Sequence, residues 1–244
     1  MITIANPSLG DDEIRVVRDV LQAGTLAQGP RVADFEGAFA AYIGTKHAIA
    51  VSSGTAALHV ALLAAGIGQA DEVITTPLSF VATANAVLFC NAKPVFVDIE
   101  KMTFNIDPSL LRKAVTQRTR AVIVVHLYGQ PCNMNEILKT CKEHNLVLIE
   151  DACQAHGAEY RGRKVGSYGI GCFSFYATKN ITTGEGGIIT TDSDDIAQKA
   201  RMIRDHGLSE RYLHQTLGFN YRMTDISAAV GICQLNKLDE LNAK

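Results

Sequence analysis

Lys179 stands in the stretch SFYATKNITTGEGG, residues 174–187, directly after an aromatic run and ahead of three closely spaced glycines. A flexible cation at such a place belongs to a phosphate loop, to an ordinary surface turn, or to the holder of a reactive amine. Phosphate loops of the G-x-x-x-x-G-K-[ST] kind put their glycines before the lysine. Here the glycines follow it, and that reading fails. An isolated turn lysine is ordinarily a solvated one. Two features point the other way. Lys179 follows the strand-like run GCFSFY, and it is flanked by Thr178, Thr182, Thr183 and a GEGG segment expected to be mobile and to let backbone approach a ligand closely. Desolvated lysines act as Schiff-base nucleophiles.

Two other stretches offer matching chemistry. After AIAV come Ser52, Ser53, Gly54, Thr55 and Ala56, which then open a helical pattern. Small residues at a helix N-terminus make an anion site, and equally Ser53 or Thr55 makes a simple N-cap. After NLVLI come Glu150 and Asp151, followed by Gln154. A carboxylate at the end of a buried strand needs a partner: a metal, an arginine or a protonated ring nitrogen. With no His/Cys cluster alongside, the metal is the weakest of the three. Gly166, Gly169 and Gly171 do not have dinucleotide spacing, and they precede a strand instead of following one. An anion cradle, a carboxylate for a ring nitrogen and an imine-forming lysine together match the handles of pyridoxal phosphate. Phe80, after the run ending TTP, is available as an aromatic face for the ring.

The elements that must position these residues alternate. HAIAVSS, DEVITTP, KPVFVDI, RAVIVVH, NLVLIED, GCFSFY and GGIITT read as strands. TAALHVALLAAG, SFVATANAVLFC, DPSLLRKAV and NMNEILKTCKEHN read as helices between them. Nearly continuous apolar strands and short connections predict an α/β fold with a mostly parallel sheet flanked by helices. Ligands in such folds bind beyond the carboxyl ends of the strands, where the three stretches fall. The final MTDISAAVGICQLNKLDELNAK reads as one long amphipathic helix.

Composition agrees with this class. The 244 residues are 47% apolar and carry a net charge of −2, which gives no basic excess for nucleic acid. Six cysteines, none in a C-x-x-C pair, read as reduced and packed as small hydrophobes. No signal peptide opens the chain and no apolar stretch approaches membrane-spanning length, so a cytoplasmic location is expected.

SSGTAAL, SFVATANAV, PVFVDI, VVHLYGQPCNM, IEDACQAHGAEY, FSFYATKNITTGEGG, RDHG and LGFNYRMTDISAAVG occur in an order and spacing that resemble the DegT/DnrJ/EryC1/StrS family, the pyridoxal phosphate-dependent nucleotide-sugar aminotransferases of fold type I. The resemblance implies a role for each matching residue. Lys179 would bind the cofactor aldehyde and shuttle the proton, Asp151 would pair with the pyridine nitrogen, and Gln154 would bond the ring hydroxyl. Gly54, Thr55, Ala56 and Ser174 would hold the phosphate, and Phe80 would stack on the ring. Asn220 would reach the cofactor of a neighbouring subunit, implying a homodimer; as a residue in a loop it could equally be a local cap. The implied reaction moves nitrogen from L-glutamate to a nucleotide-linked keto-deoxysugar. Related dehydratases carry histidine in place of the lysine, so Lys179 stands against that activity. The implied domain plan is an N-terminal segment and helix over 1–30, a large cofactor-binding domain over 31–223, and over 224–244 the start of a helix leading to a small C-terminal domain. Members continue past KLDELNAK into that domain, so a catalytically incomplete cofactor-binding fragment or regulator is the alternative expectation.

Overall fold

The apolar runs become seven strands of one sheet, in the order β1-β9-β8-β5-β4-β2-β3. These are β1 (His47–Val51), β2 (Glu72–Thr75), β3 (Lys93–Phe96), β4 (Thr119–Val125), β5 (Val147–Asp151), β8 (Ile170–Ser174) and β9 (Gly187–Thr191). Two short pairs lie outside it, β6 (Glu159–Tyr160) with β7 (Arg163–Lys164), and β10 (Leu208–Glu210) with β11 (Leu213–His214). The computed structural model describes residues 5–244. Residues 1–4 of the expected 1–30 segment lie outside the described residues. Every pairing from β3 through β2, β4 and β5 to β8 is parallel. Only β9 runs against its neighbours, pairing antiparallel with both β8 and β1.

The helices are α1 (Asp11–Ala23), α2 (Pro30–Ile43), α3 (Gly54–Ala64), α4 (Ala82–Phe89), α5 (Pro108–Ala114), α6 (Met134–His144), α7 (Asp194–Arg204), α8 (Asp225–Leu235) and α9 (Leu238–Asn242). They cover both faces of the sheet, and the pleat decides which residues meet them. Ile49 and Val51, Val73, Ala121 and Ile123, and Ile149 pack on the side of α3, α4 and α7. Their alternates face the other side, Ala48 and Ala50 toward α2 and α8, and Ile74, Val122, Val124 and Leu148 toward α5 and α6. The α2 side is aromatic: Phe35, Phe39, Phe173 and Phe175 are fully buried, with edge-on ring contacts such as Phe39 to Phe173 at 5.0 Å.

The C-terminal stretch departs from the single long helix expected. It breaks at Asn236–Lys237 into α8 and α9. Lys237 Nζ bonds Glu13 Oε1 on α1 at 2.7 Å, and Leu238 is buried in the core beside α2. Beyond the break, Asp239 accepts from Tyr42 Oη at 2.6 Å and Asn242 donates to the His156 carbonyl at 2.7 Å. These tertiary contacts turn the last helix onto the body, and local amphipathic pattern does not encode them.

Candidate active site

Glu150 and Asp151 are neighbours on β5, so the pleat sends them to opposite faces. Glu150 is fully buried and saturated. Its Oε1 accepts from Tyr168 N at 2.7 Å and Gly169 N at 2.9 Å, and its Oε2 from Gly166 N at 2.9 Å. His126 Nε2 adds a fourth bond at 3.1 Å. Because His126 Nδ1 accepts from Cys132 N, the ring proton sits on Nε2 and points at Glu150. This pair is structural. Asp151, on the α3 and α4 side, is 5% exposed and lines a cavity of about 390 Å³. Its Oδ2 accepts from Thr83 Oγ1 at 2.7 Å and its Oδ1 from Cys153 N at 3.3 Å. Both oxygens keep a lone pair for one further donor.

The start of α3 forms another wall. Ser53 is the N-cap, accepting from Ala56 N at 3.1 Å. Ser53 thus caps the helix, which occupies the Ala56 N–H and not those of Gly54 and Thr55. Gly54 and Thr55 are the first helical residues, so their N–H groups have no intrahelical acceptor, and both residues line the cavity. Ala56 lies one position deeper, with its N–H already used. Gly54 is required by space: a Cβ there would stand 2.6 Å from Ser174 Cβ. Ser174, at the end of β8, lines the same cavity.

Lys179 follows in a turn fixed by its own N–H to the Tyr176 carbonyl at 2.9 Å. Its half-buried side chain lines the cavity, and the ammonium makes no hydrogen bond or salt bridge with a described residue. Gly186 and Gly187 are buried and bring chain against chain: a Cβ on Gly187 would lie 2.3 Å from the Ser53 carbonyl oxygen. Gly187 thereby docks the end of the Lys179 loop onto the start of α3, while Gly184 and Glu185 stay exposed. Gln154 lines the cavity too, its Oε1 taken by Tyr128 N at 3.0 Å, which leaves Nε2 free to donate. Phe80 is at the mouth, 69% exposed.

The structure thus brings Gly54, Thr55, Phe80, Asp151, Gln154, Ser174 and Lys179 to one cavity. Asn220 is elsewhere, bridged to Asp205 beyond α7. One further site group, Ser79, escaped sequence reading, whereas Glu185 lies near the site as its place after a strand suggests. Ser79 and Glu185 line the cavity; Ser79 sits in SFVATANAV four residues before Thr83, a spacing that places both on one side of the α4 entry. Cys153 also lines it. Desolvation, and then the adjacent Asp151 charge, hold its thiol well above the ordinary range, so it stays protonated and unreactive.

The donor set fits pyridoxal phosphate. A helix start with two unpaired N–H groups and two hydroxyls suits a phosphate, a clamped carboxylate suits a pyridinium N–H, and an unpaired amine suits an aldehyde. A family model, the DegT/DnrJ/EryC1/StrS aminotransferase family, matches residues 7–244. The chain belongs to this family. It is 49% identical over 243 residues to the GDP-perosamine synthase of Caulobacter vibrioides, covering 98% of this chain and 66% of that protein. It is 46% identical over 251 residues to the spore coat polysaccharide biosynthesis protein SpsC of Bacillus subtilis, covering 98% and 64%. Among solved structures, the aminotransferase from Psychrobacter cryohalolentis superposes with a TM-score of 0.93 at 40% identity, over 96% of this chain and 63% of that one. The chain therefore spans just under two thirds of the length of the curated relatives it matches. No helix among the described residues is long and apolar enough to cross a membrane.

Proposed function

We propose that the chain binds pyridoxal 5′-phosphate in the Lys179–Asp151 cavity and takes part in transamination of a nucleotide-linked keto-deoxysugar, with L-glutamate as amino donor. The convergence of Lys179, Asp151 and the α3 N-terminus on one cavity carries this reading. Support for the acceptor class comes from the relative named GDP-perosamine synthase, whose name joins a nucleoside diphosphate to an amine.

When bound, the cofactor supplies an aldehyde that exchanges nitrogen and a ring that accepts electron density. The protein does the rest. Lys179 would hold the aldehyde end of the cofactor, and its Nζ would move a proton between the donor's carbon and the cofactor. Asp151 accepts the ring N–H and keeps it in place. Gln154, whose Oε1 is taken by Tyr128 N, would offer its Nε2–H to the ring hydroxyl. Gly54 and Thr55 N–H groups, with the Thr55 and Ser174 hydroxyls, hold the phosphate at the positive end of α3. Phe80, at the cavity mouth, would cover one face of the ring. Asn220 acts on the site of a second copy in a homodimer.

Adding L-glutamate to the loaded protein should bleach its visible band and release one equivalent of 2-oxoglutarate per site. A loaded protein whose band and glutamate both stay unchanged would be a cofactor binder without the first half-reaction.

A further inference from the structure

Asp151 is held from behind by a side chain that does not itself reach the cavity. Thr83 is 2% exposed, on the first turn of α4, and is not part of the cavity wall. Its Oγ1 lies 2.7 Å from Asp151 Oδ2 and 2.9 Å from Ser79 Oγ. The proton directions follow from chemistry. A carboxylate only accepts, so Thr83 spends its single hydroxyl proton on Asp151. The Ser79 contact must then run from Ser79 to Thr83. Ser79 itself lines the cavity, so an ordered chain of two hydroxyls runs from the cavity wall to the carboxylate.

From this we infer that Thr83 is a positioning residue for Asp151. Its bond at Oδ2, with Cys153 N at Oδ1, locks the carboxylate plane from both sides. One lone pair per oxygen is left for a donor arriving from the cavity. The bond also draws charge from Oδ2, so the carboxylate holds a ring N–H without pulling the proton off it. Buried charge-assisted hydrogen bonds of this kind are among the stronger ones. The inference rests on pyridoxal phosphate being the ligand.

The test compares the wild type with Thr83→Val, which keeps shape and loses the hydroxyl, and Thr83→Ser, which keeps the hydroxyl. Three readouts apply. Borohydride reduction with peptide mapping reports the covalent adduct. Retention of pyridoxamine phosphate, which has no covalent bond to Lys179, reports the grip of the other contacts. The 15N shift of ring-labelled cofactor reports where the ring proton sits. Wild type and both variants should form the adduct on Lys179. Thr83→Val should hold pyridoxamine phosphate about tenfold more weakly, and its ring 15N signal should move toward the unprotonated position. Thr83→Ser should restore both to within about twofold of wild type. A merely structural role would not move the 15N signal selectively or be rescued by serine. Equal retention and an unchanged 15N shift in Thr83→Val would overturn the inference while leaving the cofactor reading intact. Absence of the adduct in folded wild type would overturn the cofactor reading itself. Should Thr83→Val not fold, Thr83→Ala at a lower temperature gives the same comparison, again judged against Thr83→Ser.

Discussion

Two adjacent carboxylates on β5 have opposite fates, and a single step of the pleat separates them. The sequence shows both at a strand end. It does not show that three backbone N–H groups from the 166–169 turn converge on Glu150, because that turn is brought there by tertiary packing. Lys179 was legible, since an amine after a buried strand has few uses; Thr83 was not, since a threonine inside a helical run carries no local mark of its partner. Under the proposed chemistry, Lys179→Ala should lower the glutamate half-reaction by a factor of about 10² to 10⁴, as expected for loss of a general acid–base group; a rate within tenfold of wild type, followed by 2-oxoglutarate release, would remove Lys179 from that role. His156 supports a prediction of a different kind. It is buried, and desolvation, the largest influence on the ring, pushes its pKa down from 6.5 to about 4. Unfolded, the ring takes its proton near 6.5; folded, it resists until about 4. Its contribution to stability is therefore complete above pH 6.5 and is lost as the pH falls to 4, on the order of 3 kcal/mol. Thermal denaturation across that window should show the loss in wild type and a flatter profile in His156→Leu.

At the scale of elements, the strand runs announced the sheet and their alternation announced two covered faces. The reversal of β9 was not announced. GGIITT has the pattern of any buried strand and carries no mark of its direction; the Lys179 segment between β8 and β9 forms no helix and returns the chain antiparallel beside β8. The break between α8 and α9 was equally invisible, because it is fixed by Glu13 on α1. That carboxyl is desolvated, which opposes ionisation, yet bonds from Lys237, Gln234 and the Gly10 N–H outweigh this and hold its pKa at about 2. A second tie crosses three elements: Arg204 on α7 bonds Glu36 on α2 and, at 2.7 Å, the Ala50 carbonyl on β1. Ala50 N also donates to Glu36 at 2.8 Å. Arg204→Met leaves the Glu36 carboxylate without its charge partner, and should cost roughly 3–5 kcal/mol in urea unfolding. A loss under about 1 kcal/mol would mean that solvent already satisfies the pair.

For the whole molecule, the proposed homodimer makes a prediction that one subunit alone cannot meet. Asn220 stands outside the cavity of its own chain. If it completes the partner's site, Lys179→Ala and Asn220→Ala are each inactive alone, yet mixing them yields heterodimers with one intact site. About a quarter of wild-type sites should return after equal mixing and exchange. No recovery, with exchange demonstrated by mass, would place Asn220 in a local structural role.

The most direct test of the central claim is to purify the chain with pyridoxal 5′-phosphate, record its visible spectrum, reduce it with borohydride and map the adduct. A visible band that reduction abolishes is expected, with the cofactor's mass added on the peptide carrying Lys179. A folded chain with no band, or an adduct on any other lysine, would contradict it.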